Sequence, residues 1–145
     1  TSPVFSLGAL ANSYASGQEC IAYCFAEIQG FSKFGFYSGQ GNVNGTKVYC
    51  GFKPKWIMIK STGTTDDWGS RSTVTTGFGV GGSRTRNMVW NTSGSQTTAN
   101  VEFESNGFRL ASTSTGNNQE NTKYEYMAFS DVPMVSTTGV VALAT

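Results

Sequence analysis

Glu102 and Glu104 come nearest to a catalytic pair. Alternate residues of a strand project from one face, and two carboxylates flanking a glycosidic bond carry acid and base roles in sugar hydrolysis. The flanking residues give a simpler account. Asn106-Gly107 tolerates the positive φ of a type I′ hairpin turn. Folding there sets Ser105 opposite Phe108, Glu104 opposite Arg109, Phe103 opposite Leu110 and Val101 opposite Ser112. Val101, Phe103, Phe108 and Leu110 then share one face, and Glu102, Glu104 and Arg109 the other. Glu104 with Arg109 reads as a solvated ion pair, with no pocket to raise a carboxyl pKa.

Other chemistry-bearing residues are weaker still. Asp66-Asp67, before Trp68, reads as an exposed turn, because calcium needs more oxygen ligands at defined positions. The glycine run from Gly77 to Gly82, followed by Ser83-Arg84, lacks the GK[ST] ending and the helix of a phosphate-binding loop. It reads as a flexible or subunit-contacting loop. Asn44-Gly45-Thr46 and Asn91-Thr92-Ser93 fit the glycosylation pattern, which is common by chance. The chain has no histidine, the commonest general base and metal ligand. Cys20, Cys24 and Cys50 are odd in number and make a poor zinc set, so they read as buried free thiols. The expectation is a non-enzymatic chain with no catalytic residue, cofactor or metal.

What remains is surface chemistry. Six Tyr, three Trp and ten Phe exceed what catalysis or solubility needs. Most must be core, but Tyr37, Trp68 and Trp90 lie near turns. There they are placed to stack on sugar rings or to fill a pocket between subunits, with core packing as the alternative for each. Arg71, Arg84 and Arg86 are placed to meet an acidic neighbour. Three arginines are weak support for nucleic acid, and a net charge of +1 gives no reason to expect nucleic acid or an anionic membrane.

The elements that hold these residues are strands. Charged residues make up 13% of the chain, about half the usual roughly 25%. Gly, Ser, Thr and Asn replace them, and apolar residues alternate with polar ones or form short runs. Strands are expected near 4–8, 20–27, 34–38, 46–52, 55–60, 87–91, 100–105, 108–112, 123–130 and 139–143. Trp56-Ile57-Met58-Ile59, apolar on both faces between Lys55 and Lys60, reads as a central strand covered on both sides. Asn44-Gly45 points to a second hairpin with Tyr37 opposite Phe52. Alternating strands need a second sheet over their apolar faces. The fold expected is a single-domain, two-sheet antiparallel β-sandwich of jelly-roll type over residues 1–145, with a long Gly/Ser/Thr-rich excursion at 61–86. No apolar run reaches membrane-span length, and no basic-then-apolar leader opens the chain. Starting at Thr1, it reads as a processed or partial chain.

The ends echo each other. Ala22-Tyr23-Cys24-Phe25-Ala26-Glu27-Ile28 is similar to Tyr126-Met127-Ala128-Phe129-Ser130-Asp131-Val132, and Phe5-Ser6-Leu7 to Phe108-Arg109-Leu110. Residues 1–30 therefore read either as the end of a preceding repeat, as an exchanged arm, or as strands of this sandwich.

Larger blocks resemble a known family. Ile21-Ala22-Tyr23-Cys24-Phe25-Ala26-Glu27, Gly30-Phe31-Ser32-Lys33-Phe34-Gly35 and Tyr37-Ser38-Gly39-Gln40-Gly41 are the first of them. Gly51 to Lys60, Ser105 to Leu110 and Tyr124 to Ser130 follow. Together they resemble a repeated domain of uncharacterised function in structural proteins of tailed phages, common in marine and cyanobacterial phages. The resemblance breaks at Trp68-Gly69-Ser70-Arg71, where the family continues with a further strand and this chain turns Gly-rich. It implies a virion location, assembly in the host cytoplasm and no catalysis, and it carries over no binding residue. The implied partners are other virion proteins, copies of itself (a trimer, by analogy with phage fibres) and a host-surface glycan, without nucleic acid or membrane insertion. Three functions fit: a tail or fibre module for assembly and host attachment, a capsid decoration or cement protein, and a carbohydrate-binding module of a secreted protein.

Overall fold

A computed structural model describes residues 19, 21–74, 85–93 and 97–131, with the backbone path alone at 85–86 and 97–99. Nine strands make up its regular structure. They are β1 (Ser32–Ser38), β2 (Lys47–Tyr49), β3 (Trp56–Ser61), β4 (Gly69–Ser72), β5 (Thr85–Val89), β6 (Thr97–Ala99), β7 (Val101–Glu104), β8 (Gly107–Leu110) and β9 (Lys123–Phe129). All ladders are antiparallel. One sheet has six strands in the order β1-β9-β3-β4-β5-β6, the other three in the order β2-β8-β7. This is the two-sheet sandwich that period-two burial predicts. The chain changes sheet from β1 to β2 to β3, from β6 to β7 and from β8 to β9, the crossing habit of a jelly roll, while β3 to β6 form a meander.

The core lies where the two apolar faces meet. Ile57 and Ile59 of β3 and Tyr124, Tyr126 and Ala128 of β9 point inward from the large sheet. Val48, Val101, Phe108 and Leu110 meet them from the small sheet. Tyr37 and Tyr124 stack at 5.1 Å, and Phe108 meets Tyr126 edge-on at 5.5 Å. Such pairs add roughly 0.5–1.5 kcal/mol each beyond simple burial.

Long connections close one end of the sandwich through buried asparagines. The Asn118 side chain accepts from the Gln40 N–H at 3.0 Å and donates to the carbonyls of Asn42 (2.9 Å) and Ser112 (2.5 Å). Tyr37 donates its hydroxyl to the Asn117 carbonyl at 2.6 Å. The 111–122 connection is thereby tied to the 39–46 connection.

Several expectations change. Residues 21–27 form no strand: they are exposed, and no strand among the described residues pairs with them. Their echo of the β9 sequence therefore does not make them its structural equivalent. The 61–86 stretch is not a plain excursion, since it carries β4 and the start of β5; residues 75–84 lie outside the described region. Asn44-Gly45 turns the chain from one sheet to the other instead of closing a hairpin, so Tyr37 and Phe52 meet in the core and not across a ladder. The β7–β8 hairpin turns at Ser105-Asn106, pairing Phe103 with Phe108 and Glu102 with Arg109. Both turn residues keep negative φ, so this is not the type I′ turn expected. Arg109 donates to Glu102 from Nε at 3.1 Å and lies 3.7 Å from Glu104, which also meets Lys47 at 3.3 Å. The expected strands at 4–8 and 139–143 fall outside the described residues.

Candidate binding surface

The outer face of the large sheet is also apolar. Ladder register aligns Phe34, Met127 and Met58 in one row across β1, β9 and β3, and Phe129 with Trp56 in the row above. The row below holds Phe36, Glu125 and Lys60. One end of this face is covered by the 21–28 segment. There Phe25 stacks on Phe34 at 6.1 Å and meets Phe129 edge-on at 5.6 Å. Ser32 donates its hydroxyl to the Ala26 carbonyl, and Glu27 bonds Lys33 and the Phe34 N–H. Those two contacts, the lysine first, hold the Glu27 carboxyl below its usual range.

The other end stays open as a groove of about 440 Å³, lined by Phe34, Phe36, Met58, Lys60, Trp68, Glu125 and Met127. Phe36 is 58% exposed and Trp68 39%. The Lys123 ammonium sits 4.1 Å from the Phe36 ring centroid, a cation–π contact that steadies the ring. Trp68 comes from the β3–β4 connection, and its backbone is pinned twice. Its N–H donates to Asn91 Oδ1 at 3.0 Å, and its carbonyl accepts from Trp90 at 3.0 Å. Asn91 is anchored in turn to Asp67 at 2.8 Å. Lys60 Nζ donates to the Asp66 carbonyl at 2.6 Å, folding the same connection against the sheet.

The residues singled out from sequence part company here. Trp68 lines the groove. Trp90, 59% exposed, lies beside it, its indole N–H on Ser70 Oγ at 2.7 Å and its ring 6.5 Å from Trp56. Tyr37 is not a surface residue: it points into the core, where burial drives its phenol pKa well above the usual value. Arg84 lies outside the described residues, as does the Arg86 side chain on β5. Phe36, Lys60 and Glu125 escape a sequence reading. The available signal was that β1 and β9 are apolar on both faces, like β3.

Arg71 is also interior, 3% exposed, because β4 sets it opposite Ile57 on the inward face. All nine Asp and Glu side chains lie among the described residues, and none of their ion pairs includes Arg71. Its Nη1 reaches only the Gly69 carbonyl, at 3.4 Å, and its Nε has no partner among the described residues. Burial pushes the guanidinium pKa down to about 10, so it stays charged at neutral pH under desolvation strain. Replacing a buried ion pair with apolar side chains of similar volume is commonly neutral or stabilising by roughly 1–4 kcal/mol, and a charge with no ion-pair partner has less attraction to lose. Arg71→Met is therefore expected to raise the urea midpoint. A clear loss of stability in that variant would mean that the guanidinium has a strong internal partner.

A second cleft, of about 480 Å³, runs between the 27–33 segment and Tyr49 to Gly51. Cys50 lies on it but is buried, and desolvation lifts its thiol to about 12. A thiol raised in this way is protonated at neutral pH and unreactive. Cys24 is exposed. Iodoacetamide at pH 8 is expected to alkylate Cys24 in the folded chain and Cys50 only after denaturation, read by peptide mass mapping. The Cys50 shift favours the folded state below the ordinary thiol pKa of about 8.5, and that contribution fades as pH climbs toward 12. Among the described residues no group of three or more Cys, Asp or Glu side chains gathers as a metal site.

The fold and surface define a two-sheet antiparallel β-sandwich with an aromatic groove on the outer face of its larger sheet. The chain belongs to the family described as Domain of unknown function (DUF7483), whose model matches residues 1–133. No curated protein and no solved structure matches it.

Proposed function

We propose that the protein is a non-enzymatic structural module of a tailed-phage particle, placed at the tail or in a fibre and used for assembly and attachment to the host surface. The observation that carries this reading is the open aromatic groove on a sheet face, walled by a hydrogen-bonded connection. Apolar side chains held exposed on a rigid scaffold mark an interaction surface. A nearly neutral chain with few charges suits packing against other proteins and sugars more than against nucleic acid. The resemblance to phage structural domains supplies the setting.

Electron microscopy of particles carrying a labelled copy of this chain tests it. Label at the tail, and competition of the free chain with particle adsorption, are the expected results. Label over the capsid lattice would instead favour a decoration protein. One observation leans that way: Ile21 and Tyr23 are about four-fifths exposed on a segment outside both sheets, as on an arm that reaches a neighbour. Absence of the chain from purified particles would defeat both readings.

A further inference from the structure

We infer that the groove between Phe36 and Trp68 is a binding site for a neutral glycan. The inference rests on the attachment reading and names what the surface attaches to. Three features of the groove fix the ligand class.

The first is shape. Phe36 and Trp68 rise from different elements, β1 and the β3–β4 connection, with Met58 and Met127 forming an apolar floor. A pyranose ring has an apolar C–H face that packs on aromatic surface, while its hydroxyls stay at the rim. The volume falls within the range of small-ligand sites.

The second is charge. Lys60 and Glu125 stand directly opposite each other on β3 and β9, so the groove lining carries one charge of each sign, with the Lys123 ammonium occupied on the Phe36 ring. A charged ligand would meet one attractive and one repulsive group in the lining. A hydroxyl can donate to the Glu125 carboxylate while its neighbour accepts from the Lys60 ammonium. Of the three ammonium donors, the Asp66 carbonyl holds one at 2.6 Å and the Thr64 carbonyl lies at the 3.5 Å limit. Adjacent hydroxyls of a sugar match this donor–acceptor pair, and a purely apolar peptide does not.

The third is preorganisation. Lys123 steadies the Phe36 ring, and the Asn91 bonds hold the Trp68 backbone. Little ordering remains to be done on binding, which lowers the entropic cost of taking up a ligand.

The test is binding of the purified full chain to a glycan array, followed by NMR titration with the best neutral oligosaccharide. Trp68→Ala and Glu125→Gln are each expected to weaken binding about tenfold or more. Tyr49→Ala, a change of an exposed aromatic ring on the small sheet, is expected to leave it unchanged. Circular dichroism checks that each variant keeps its fold. No binding to any neutral glycan overturns the inference, and so does binding that survives both groove variants. Self-association that is lost in Trp68→Ala, without a sugar response, also overturns it by assigning the groove to copies of the chain. Adsorption competition separates the two levels. A chain that binds sugar through this groove but never blocks adsorption leaves the site standing and removes the attachment reading.

Discussion

Gly107→Ala is expected to destabilise the sandwich by more than about 4 kcal/mol, a large share of the total for a domain of this size. A Cβ built on Gly107 would lie 1.9 Å from the Val48 carbonyl oxygen and 2.9 Å from its carbon. Both atoms are backbone, so no side-chain rotation relieves the overlap. The residue also has φ +154°, a conformation that L side chains rarely adopt. Relief requires β2 to move off β8, and β2 is only three residues long. Its departure would uncover Val48 and Phe108, both buried. Urea unfolding checks this: a lower midpoint is expected, with a reduced slope if β2 is already detached in the native state. Gly51→Ala is the control. Gly51 has φ +81° but nothing within 4 Å of an added Cβ, so it carries conformational strain alone, about 1–2 kcal/mol. Equal losses in the two variants would show that the Val48 approach is not tight.

The second large effect is expected at Asn118. Asn118→Ala removes three hydrogen bonds of a fully buried side chain and leaves the Gln40 N–H and the carbonyls of Asn42 and Ser112, which belong to exposed or half-buried residues, without that partner. An orphaned group costs about 1–3 kcal/mol where it is buried and less where water reaches it, so the sum is roughly 2–4 kcal/mol. Asn118→Asp is the sharper test. It keeps the acceptor for Gln40 but turns a second oxygen toward two carbonyls. A protonated carboxyl can still donate there, and a carboxylate cannot. Its folded-state pKa must then lie above the unfolded value of about 3.9. The folded state holds the extra proton, so the variant is most stable below pH 4 and loses stability as pH rises through the folded pKa. A flat difference from the parent chain between pH 3 and pH 7 would show that the side chain is not enclosed as described.

Both sites show why local sequence signals stop where they do. Asn106-Gly107 announced a turn, but the reason for the glycine is the close pass of β2, a strand nearly sixty residues earlier. The expected and observed hairpin registers differ by two positions. Such a shift leaves every side chain on the same face. Val101, Phe103, Phe108 and Leu110 share their face in either register, while the ion pair moves from Glu104 to Glu102. Asn44-Gly45 likewise gives a turn without saying whether it joins neighbours in one sheet or links two sheets, because turn residues report backbone dihedrals and not strand partners. Gly69-Ser70-Arg71-Ser72 has no apolar residue to mark a strand. It becomes one because β3 offers a free edge, and pairing there carries Arg71 inside.

Local patterning was enough to read the all-β class, the central position of Trp56 to Ile59 and the shared apolar face of β7 and β8, but the cover expected on both sides of β3 is complete on one side only, because Met58 lines the open groove. Such patterning is local, since each strand's burial pattern follows from its own period of two. The groove was not readable in this way. Its rows join residues 34, 127 and 58, and residues 36, 125 and 60, through ladders between segments far apart in the chain. No property of the single segments specifies which strands become neighbours. Pairing is settled collectively, when the two sheets close over one core and leave one apolar face outward.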